Sequence, residues 1–195
     1  MSRSMVTMRE ARPADADALA ELWQPYLRRG SGDPVGDLVS VIEHLDHQPG
    51  HRLVVAEYDG EFAGAVYLKT APYSPVNPEP VLQVHNPVVV PDHRRHGVGK
   101  ALMECAVTWA EELGVDHVAT ATSSGSREAN RFMARIALAP RAVLRMAPTP
   151  VVRARLVAQH PAARHPGRRR PGTRPVTQVL AVRRSLRGAR SVSGS

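Results

Sequence analysis

Residues 88–100 run Val88, Val89, Val90, Pro91, Asp92, His93, Arg94, Arg95, His96, Gly97, Val98, Gly99 and Lys100: an apolar stretch, a basic turn, and two glycines where an amphipathic segment begins. The chemistry open to such a run is phosphate binding. Glycine lets a backbone approach a ligand closely, the first turn of a helix has N–H groups without intrahelical acceptors, and the helix dipole favours negative charge there. Two familiar phosphate loops fail on required residues. A GxxxxGK[ST] loop ending at Lys100 needs glycine at position 94 and Ser or Thr at 101, where the chain has Arg94 and Ala101. A GxGxxG dinucleotide turn starting at Gly97 needs a third glycine where Leu102 stands. The run is therefore a phosphate cradle of another kind.

Other reactive side chains carry less. His93 and His96 have a three-residue spacing that suits a metal, but no third ligand is local and both flank the phosphate turn, so no metal is expected. Cys105 is the single cysteine, which excludes an intrachain disulfide and a cysteine zinc site, and it falls on the apolar stripe of a helix as a small core residue. Arg164, Arg168, Arg169, Arg170 and Arg174 lie in a Pro/Gly-rich stretch with no aromatic side chain to stack a base, which reads as a solvated loop.

The elements that must position the cradle follow from spacing. A strand over 6–10 precedes Arg12-Pro13-Ala14-Asp15, a helix start leading into Leu19, Leu22 and Trp23. A second helix carries Leu38, Val41, Ile42 and Leu45 and stops at Pro49-Gly50. Strands over 51–58 and 61–69 flank Asp59-Gly60 and must pair as a hairpin. A loop with Pro72, Pro75, Pro78 and Pro80 leads to a strand over 81–90, which Pro87 interrupts because it has no N–H for a ladder. The helix after the cradle has Val98, Leu102, Cys105, Trp109 and Leu113 on its buried stripe and Gly114 as its stop. A fifth strand spans 115–122, and Ser126 caps a helix over 127–136 that turns Ala129, Phe132, Met133 and Ile136 inward. A sixth strand over 141–146, a helix over 148–159, a loop over 160–175 and a last strand over 176–182 complete the expected order.

In that setting Arg94-x-x-Gly97-x-Gly99 resembles the acetyl-CoA pyrophosphate motif, Gln/Arg-x-x-Gly-x-Gly/Ala, of the GNAT acyltransferase superfamily. The preceding apolar strand and Pro91, and residues 126–138 about thirty positions later, resemble the family's approach strand and second motif. The resemblance implies an α/β fold with a mixed, mostly antiparallel sheet, an interrupted central strand and flanking helices. It implies acetyl-CoA as cosubstrate. The backbone of Val88, Val89 and Val90 would bind the pantetheine, the amides of Arg95, His96, Gly97, Val98, Gly99 and Lys100 the pyrophosphate, and Asn130 would face the pantetheine arm. Two departures stand out. Met133 occupies the position where many relatives have a Tyr that returns a proton to the leaving thiolate, and Ala137-Leu138 replaces a closing Gly-Phe. An ammonium substrate must lose a proton before it attacks, and His85, beside Asn86 on the interrupted strand, is the base or water relay this implies. Glu57 and Glu79 are lesser candidates.

Composition bounds the whole. The 195 residues suit one globular domain with an appendage, expected as a core over 1–148 and an Arg-rich extension over 149–195. No apolar stretch approaches the ~20 residues of a membrane span, and no signal core opens the chain, so a soluble cytoplasmic protein is expected. Residues 1–128 carry 11 basic and 18 acidic side chains, net −7, whereas 129–195 carry 15 arginines and no Asp or Glu, net +15. The expected function is acetyl transfer from acetyl-CoA to a primary amine by direct attack, with no specific nucleic acid, no membrane, and a homodimer as an admissible assembly. A noncatalytic acyl-CoA-binding module and a protein associated with nucleic acid through its basic third are the two other readings.

Overall fold

The computed structural model describes residues 5–27, 32–122, 125–142 and 144–159. It divides into two compact units, Met1–Arg141 and Ala142–Ser195. The first is built on a five-stranded sheet in chain order: β1 (Val6–Glu10), β2 (His51–Tyr58), β3 (Glu61–Ser74), β4 (Asn77–Val89) and β5 (His117–Thr120). The first four pair antiparallel, and β4 with β5 is the parallel pair. The expected mostly antiparallel mixed sheet with flanking helices is what the chain forms.

The β2–β3 hairpin turns on Asp59 and Gly60, both with positive φ (52° and 88°), as a two-residue primed turn demands. Its register then shifts: Ala56 faces Gly64 while Glu57 faces Phe62, leaving Ala63 as an extra residue on β3. That bulge moves every later β3 residue one position along β2. The two faces of the sheet are filled separately. Leu53, Val55 and Ala65 pack with Ala16, Leu19 and Trp23 of α1 (Ala16–Trp23) and Leu38 and Ile42 of α2 (Pro34–His44). On the opposite face Val54, Val66, Leu68, Leu82 and Val84 pack under α3 (Val98–Glu112), with Met133 of α4 (Arg127–Arg135) closing the same cluster. Each fully buried Leu or Val contributes about 1.5–3 kcal/mol, so these two interlayer cores are the main stabilisation of the unit.

Several expectations need correction. The proline-rich segment is not a loop but the far end of a long β3–β4 hairpin, closed at Ser74 and Asn77. Pro72 sits opposite Pro80, so two residues without N–H share a single rung and the ladder survives. The interruption of β4 is a bulge rather than a break: Tyr67 faces His85 and Ala65 faces Val88, leaving Asn86 and Pro87 against Val66. Asn86 takes φ 47°, and β4 is an interior strand, fourth of the five described and paired on both sides. On α3 the buried stripe is Val98, Leu102, Met103, Ala106, Trp109 and Ala110; Cys105 is half-buried and Leu113 exposed. On α2 Val41 is exposed, and after α4 so is Ile136.

The described residues of the expected sixth strand, 141–142 and 144–146, form no ladder. Leu144 and Met146 are exposed, so no buried face specifies a register there. In the second unit α5 (Thr149–Gln159) matches the expected helix. The expected loop over 160–175 and strand over 176–182 lie outside the described residues.

Candidate active site

The strand, turn and helix over residues 88–100 form where the sequence puts them. β4 ends at Val89, Pro91–His93 makes one 3-10 turn, and α3 begins at Val98. Gly97 is the N-cap of α3 with φ 86°, and having no side chain it caps nothing. The first amide of the turn with an acceptor is that of Ala101, which donates to Gly97 O at 3.0 Å. Among the described residues the amides of Arg95, His96, Gly97, Val98, Gly99 and Lys100 have no acceptor. Six donors therefore surround one turn, at the positive end of a 15-residue helix. Arg95 also has positive φ, 65°, which with Gly97 curls the backbone into a concave nest of the kind that takes anions.

The two glycines serve different ends. A Cβ at Gly97 would meet nothing within 4 Å, so its requirement is the left-handed φ. At Gly99, where φ is ordinary, a Cβ would touch only Val89 Cγ2 at 3.6 Å, an ordinary contact. Nothing in the protein's own packing requires glycine there. Three side chains around the turn are engaged elsewhere. Lys100 Nζ pairs with Glu104 at 2.9 Å, which holds its ammonium above the ordinary lysine range. The His93 and His96 rings lie against Tyr58, at 5.5 and 4.9 Å between centroids.

Beside the cradle the sheet opens. β5 pairs with β4 only from Val81 to Val84, and Thr120 Oγ1 donates to Val84 O (2.8 Å) at the last rung. Beyond it β4 continues to Val89 alone on that side. Val90 N donates to Ala63 O at 2.9 Å, so by strand alternation the amide and carbonyl of Val89 face the open edge. Of the three valines, Val89 presents its polar groups to the opening, whereas the Val90 amide is spent on the ladder. Two residues past β5, Thr122 Oγ1 donates to Asn130 Oδ1 (3.2 Å), and Asn130 Nδ2 donates to Ser126 O (2.7 Å). Asn130 is exposed and braces the start of α4 near the point where the strands part.

His85 stands on β4 one residue before the bulge, with an exposed ring that shares a 3.2 Å hydrogen bond with Gln83 Oε1. Partial burial, followed by the charges of Lys69 and His51, holds its pKa below the ordinary histidine value. His51, on β2, is depressed as well, by burial and by Lys69. It shares a 2.6 Å hydrogen bond with the Tyr67 hydroxyl, whose own pKa burial raises. The bulge is anchored from above by Trp23 Nε1, which donates to Asn86 O at 3.0 Å. The other base candidates are committed: Glu57 to Arg9 Nε at 2.6 Å, and Glu79 to His117 Nδ1 at 3.5 Å. Met133 is buried in the core beneath α4, and Cys105 is half-buried with its thiol pushed up by burial. An apolar groove of about 420 Å³ borders the turn at Lys100 and is lined further by Met103, Val107, Val118, Ile136 and Leu138.

Sequence reasoning missed His51, Tyr67, Lys69 and Gln83. Strand alternation would have grouped them only if the bulge at Ala63 were known, because a regular two-residue hairpin pairs His51 with Leu68. The observed partner is Lys69.

The model of the acetyltransferase (GNAT) family matches residues 16–137. An uncharacterized N-acetyltransferase of Archaeoglobus fulgidus is 32% identical over 109 residues, 53% of this chain and 74% of that protein. Among solved structures, a transcriptional regulator of Bacillus halodurans superposes with TM-score 0.63 at 22% identity, covering 73% of this chain and 99% of that one. Aminoglycoside N-acetyltransferase AAC(6')-Iy in complex with CoA gives TM-score 0.63 at 17% identity, covering 76% and 97%. The last two likenesses carry the fold alone. The family match spans β2, the bulged β4, the uncapped turn and both motif helices, and the chain belongs to the GNAT acetyltransferase family.

Proposed function

We propose that the protein is an acetyl-CoA-dependent N-acetyltransferase that moves the acetyl group to a primary amine by direct attack. The observation that carries this reading is the uncapped turn: six amides without acceptors beside an open strand edge, with a glycine at position 99 that the protein's own packing does not require. Those groups fit an acyl-CoA. The amides of Arg95 through Lys100 would hold its pyrophosphate, Val89 would hydrogen-bond the pantetheine along the open edge, and Asn130 would face the arm from α4.

The cosubstrate supplies a thioester, whose thiolate leaves readily because a thiol's pKa is near ~8.5. The chain's own residues supply position and proton handling. Holding amine and thioester together accounts for most of the rate, and the Val89 N–H at the open strand edge polarises the thioester carbonyl. His85 acts as base or orders the water that does. Its depressed pKa keeps the ring neutral, with a lone pair free, at and above neutral pH. With Met133 in the core, water takes the place of a side-chain proton donor to the thiolate.

Calorimetry with acetyl-CoA tests the reading. Gly99→Asp places a negative charge in the cradle and is expected to abolish binding, while Gly99→Ala, which the fold accommodates, leaves it weakened. A folded Gly99→Asp protein with wild-type affinity would sink the assignment. Binding without turnover across a broad amine panel would favour the noncatalytic acyl-CoA module.

A further inference from the structure

The sheet face that packs on α1 and α2 carries a polar shelf next to the β4 bulge. Register places His51, Lys69 and Gln83 in one row across three strands and Leu53, Tyr67 and His85 in the next, so all six side chains project from one face. The polar five are linked in two pairs, His51 with the Tyr67 hydroxyl (2.6 Å) and His85 with Gln83 (3.2 Å), and the Tyr67 and His85 rings lie 6.1 Å apart. Lys69 belongs to neither pair. Among the described residues it has no ion-pair partner, and its charge acts on both histidines.

The shelf holds no carboxylate. The nearest on β4 is Glu79, four residues before Gln83 and turned to His117; Glu57, at the other end of β2, is held by Arg9. A substrate whose only charge is its ammonium would meet the Lys69 cation and nothing to offset it. One that carries an anionic group beside its amine would meet a partner. The same cation favours loss of the amine's proton, since a nearby positive charge disfavours the ammonium form.

We propose that this shelf is the amine subsite and that Lys69 anchors an anionic group, so that the substrates are small primary amines bearing a carboxylate or phosphate near the nitrogen. The inference rests on the reading that acyl transfer takes place at the β4 bulge.

The test compares amines that differ only in that group: an amino acid with its carboxamide, and O-phosphoethanolamine with ethanolamine. Wild-type protein is expected to prefer the anionic member by tenfold or more in kcat/KM, chiefly through KM. Lys69→Gln should bring the ratio close to one, and Lys69→Arg should retain most of it. A second readout needs no turnover. Titration of the His51 and His85 rings by NMR should show both pKa values rising when O-phosphoethanolamine binds to wild-type protein, and rising without ligand in Lys69→Gln. Equal use of both members of each pair, or a ratio insensitive to Lys69→Gln, overturns the proposal. So does a panel without turnover in which millimolar O-phosphoethanolamine leaves both rings unmoved. Acetyl-CoA affinity, measured by calorimetry on the same protein, separates the two failures: its absence sinks the acyl-CoA reading, and its presence without anion preference sinks only this one.

Discussion

Ala137 takes φ 64°, a conformation that costs a residue with a Cβ about 1–2 kcal/mol and glycine almost nothing. The reason it does so is the end of α4. Leu138 N donates to Met133 O and Ala137 N to Ala134 O, the paired bonds of a Schellman stop, with Leu138 packed on the core that buries Met133. Ala137→Gly should therefore stabilise the protein by about 0.5–1 kcal/mol, the strain relieved less the added freedom of the unfolded chain, read as a higher denaturation midpoint with unchanged slope. Met133 invites the opposite experiment. Met133→Tyr would force a larger ring and a hydroxyl into a closed core, and the expected result is a loss of about 1–3 kcal/mol with no gain in kcat. A rise in kcat would show that this position still reaches the leaving group. For His85 the sign of the pH effect follows from its depressed pKa: the ring is neutral above its folded value, so activity should fall only as pH drops through a point below 6.5. His85→Ala should lower kcat by ~10²-fold and flatten that acid limb in a pH–rate profile.

At the scale of elements, β1, β2 and the turn into α1 are tied by one guanidinium. Arg9 donates to both oxygens of Asp15 (2.7 and 2.8 Å) and to Glu57 (2.6 Å), and Asp15 also accepts from Arg12 N. These bonds hold the Asp15 carboxyl below its ordinary range, the Arg9 bond foremost. A lowered folded pKa means stability that is present above the unfolded value of 3.8 and lost as pH falls through the folded one. Asp15→Asn should cost about 1–3 kcal/mol near neutrality and shrink the acid-limb loss in pH-dependent denaturation. An unchanged acid limb would show that other carboxylates govern it. This network was not readable in the sequence, because nothing local says that position 9 and position 57 meet. What was readable were features decided within a few residues: Asp59-Gly60 as a hairpin turn, Ser126 as a cap, Gly114 as a stop, Gly97 and Gly99 at a strand-to-helix turn. The cradle lies within one such stretch and could be read from it. The polar shelf could not, since His51, Lys69 and Gln83 share a row only through the bulge at Ala63, which the surrounding sequence does not mark. The proline-rich hairpin was missed for a related reason, as Pro72 is harmless only because Pro80 is its partner.

At the scale of the whole molecule the two faces of the sheet differ: the one under α3 and α4 is filled by the larger apolar cluster, and the one under α1 and α2 carries the half-buried polar row. Among the described residues no helix is long and apolar enough to cross a membrane. The charge divides along the chain instead, net −7 over residues 1–128 and net +15 over 129–195. This asymmetry gives the nucleic-acid reading its only support, and salt decides its weight. A diffuse group of exposed arginines attracts polyanions by releasing their counterions, an effect that falls steeply as the Debye length shrinks to about 8 Å at physiological ionic strength. The intact protein should therefore retain DNA or RNA weakly at low salt and release it by ~0.15 M. Deleting residues 160–175, with five of the fifteen arginines after position 128, should reduce the slope of log affinity against log salt and leave acetyl-CoA affinity nearly unchanged, because the deletion removes none of the residues of the turn and open strand edge. Nucleic-acid binding that survives ~0.15 M salt, or acetyl-CoA affinity lost on deletion, would give the basic third of the chain a part in function that exposed charge alone does not supply.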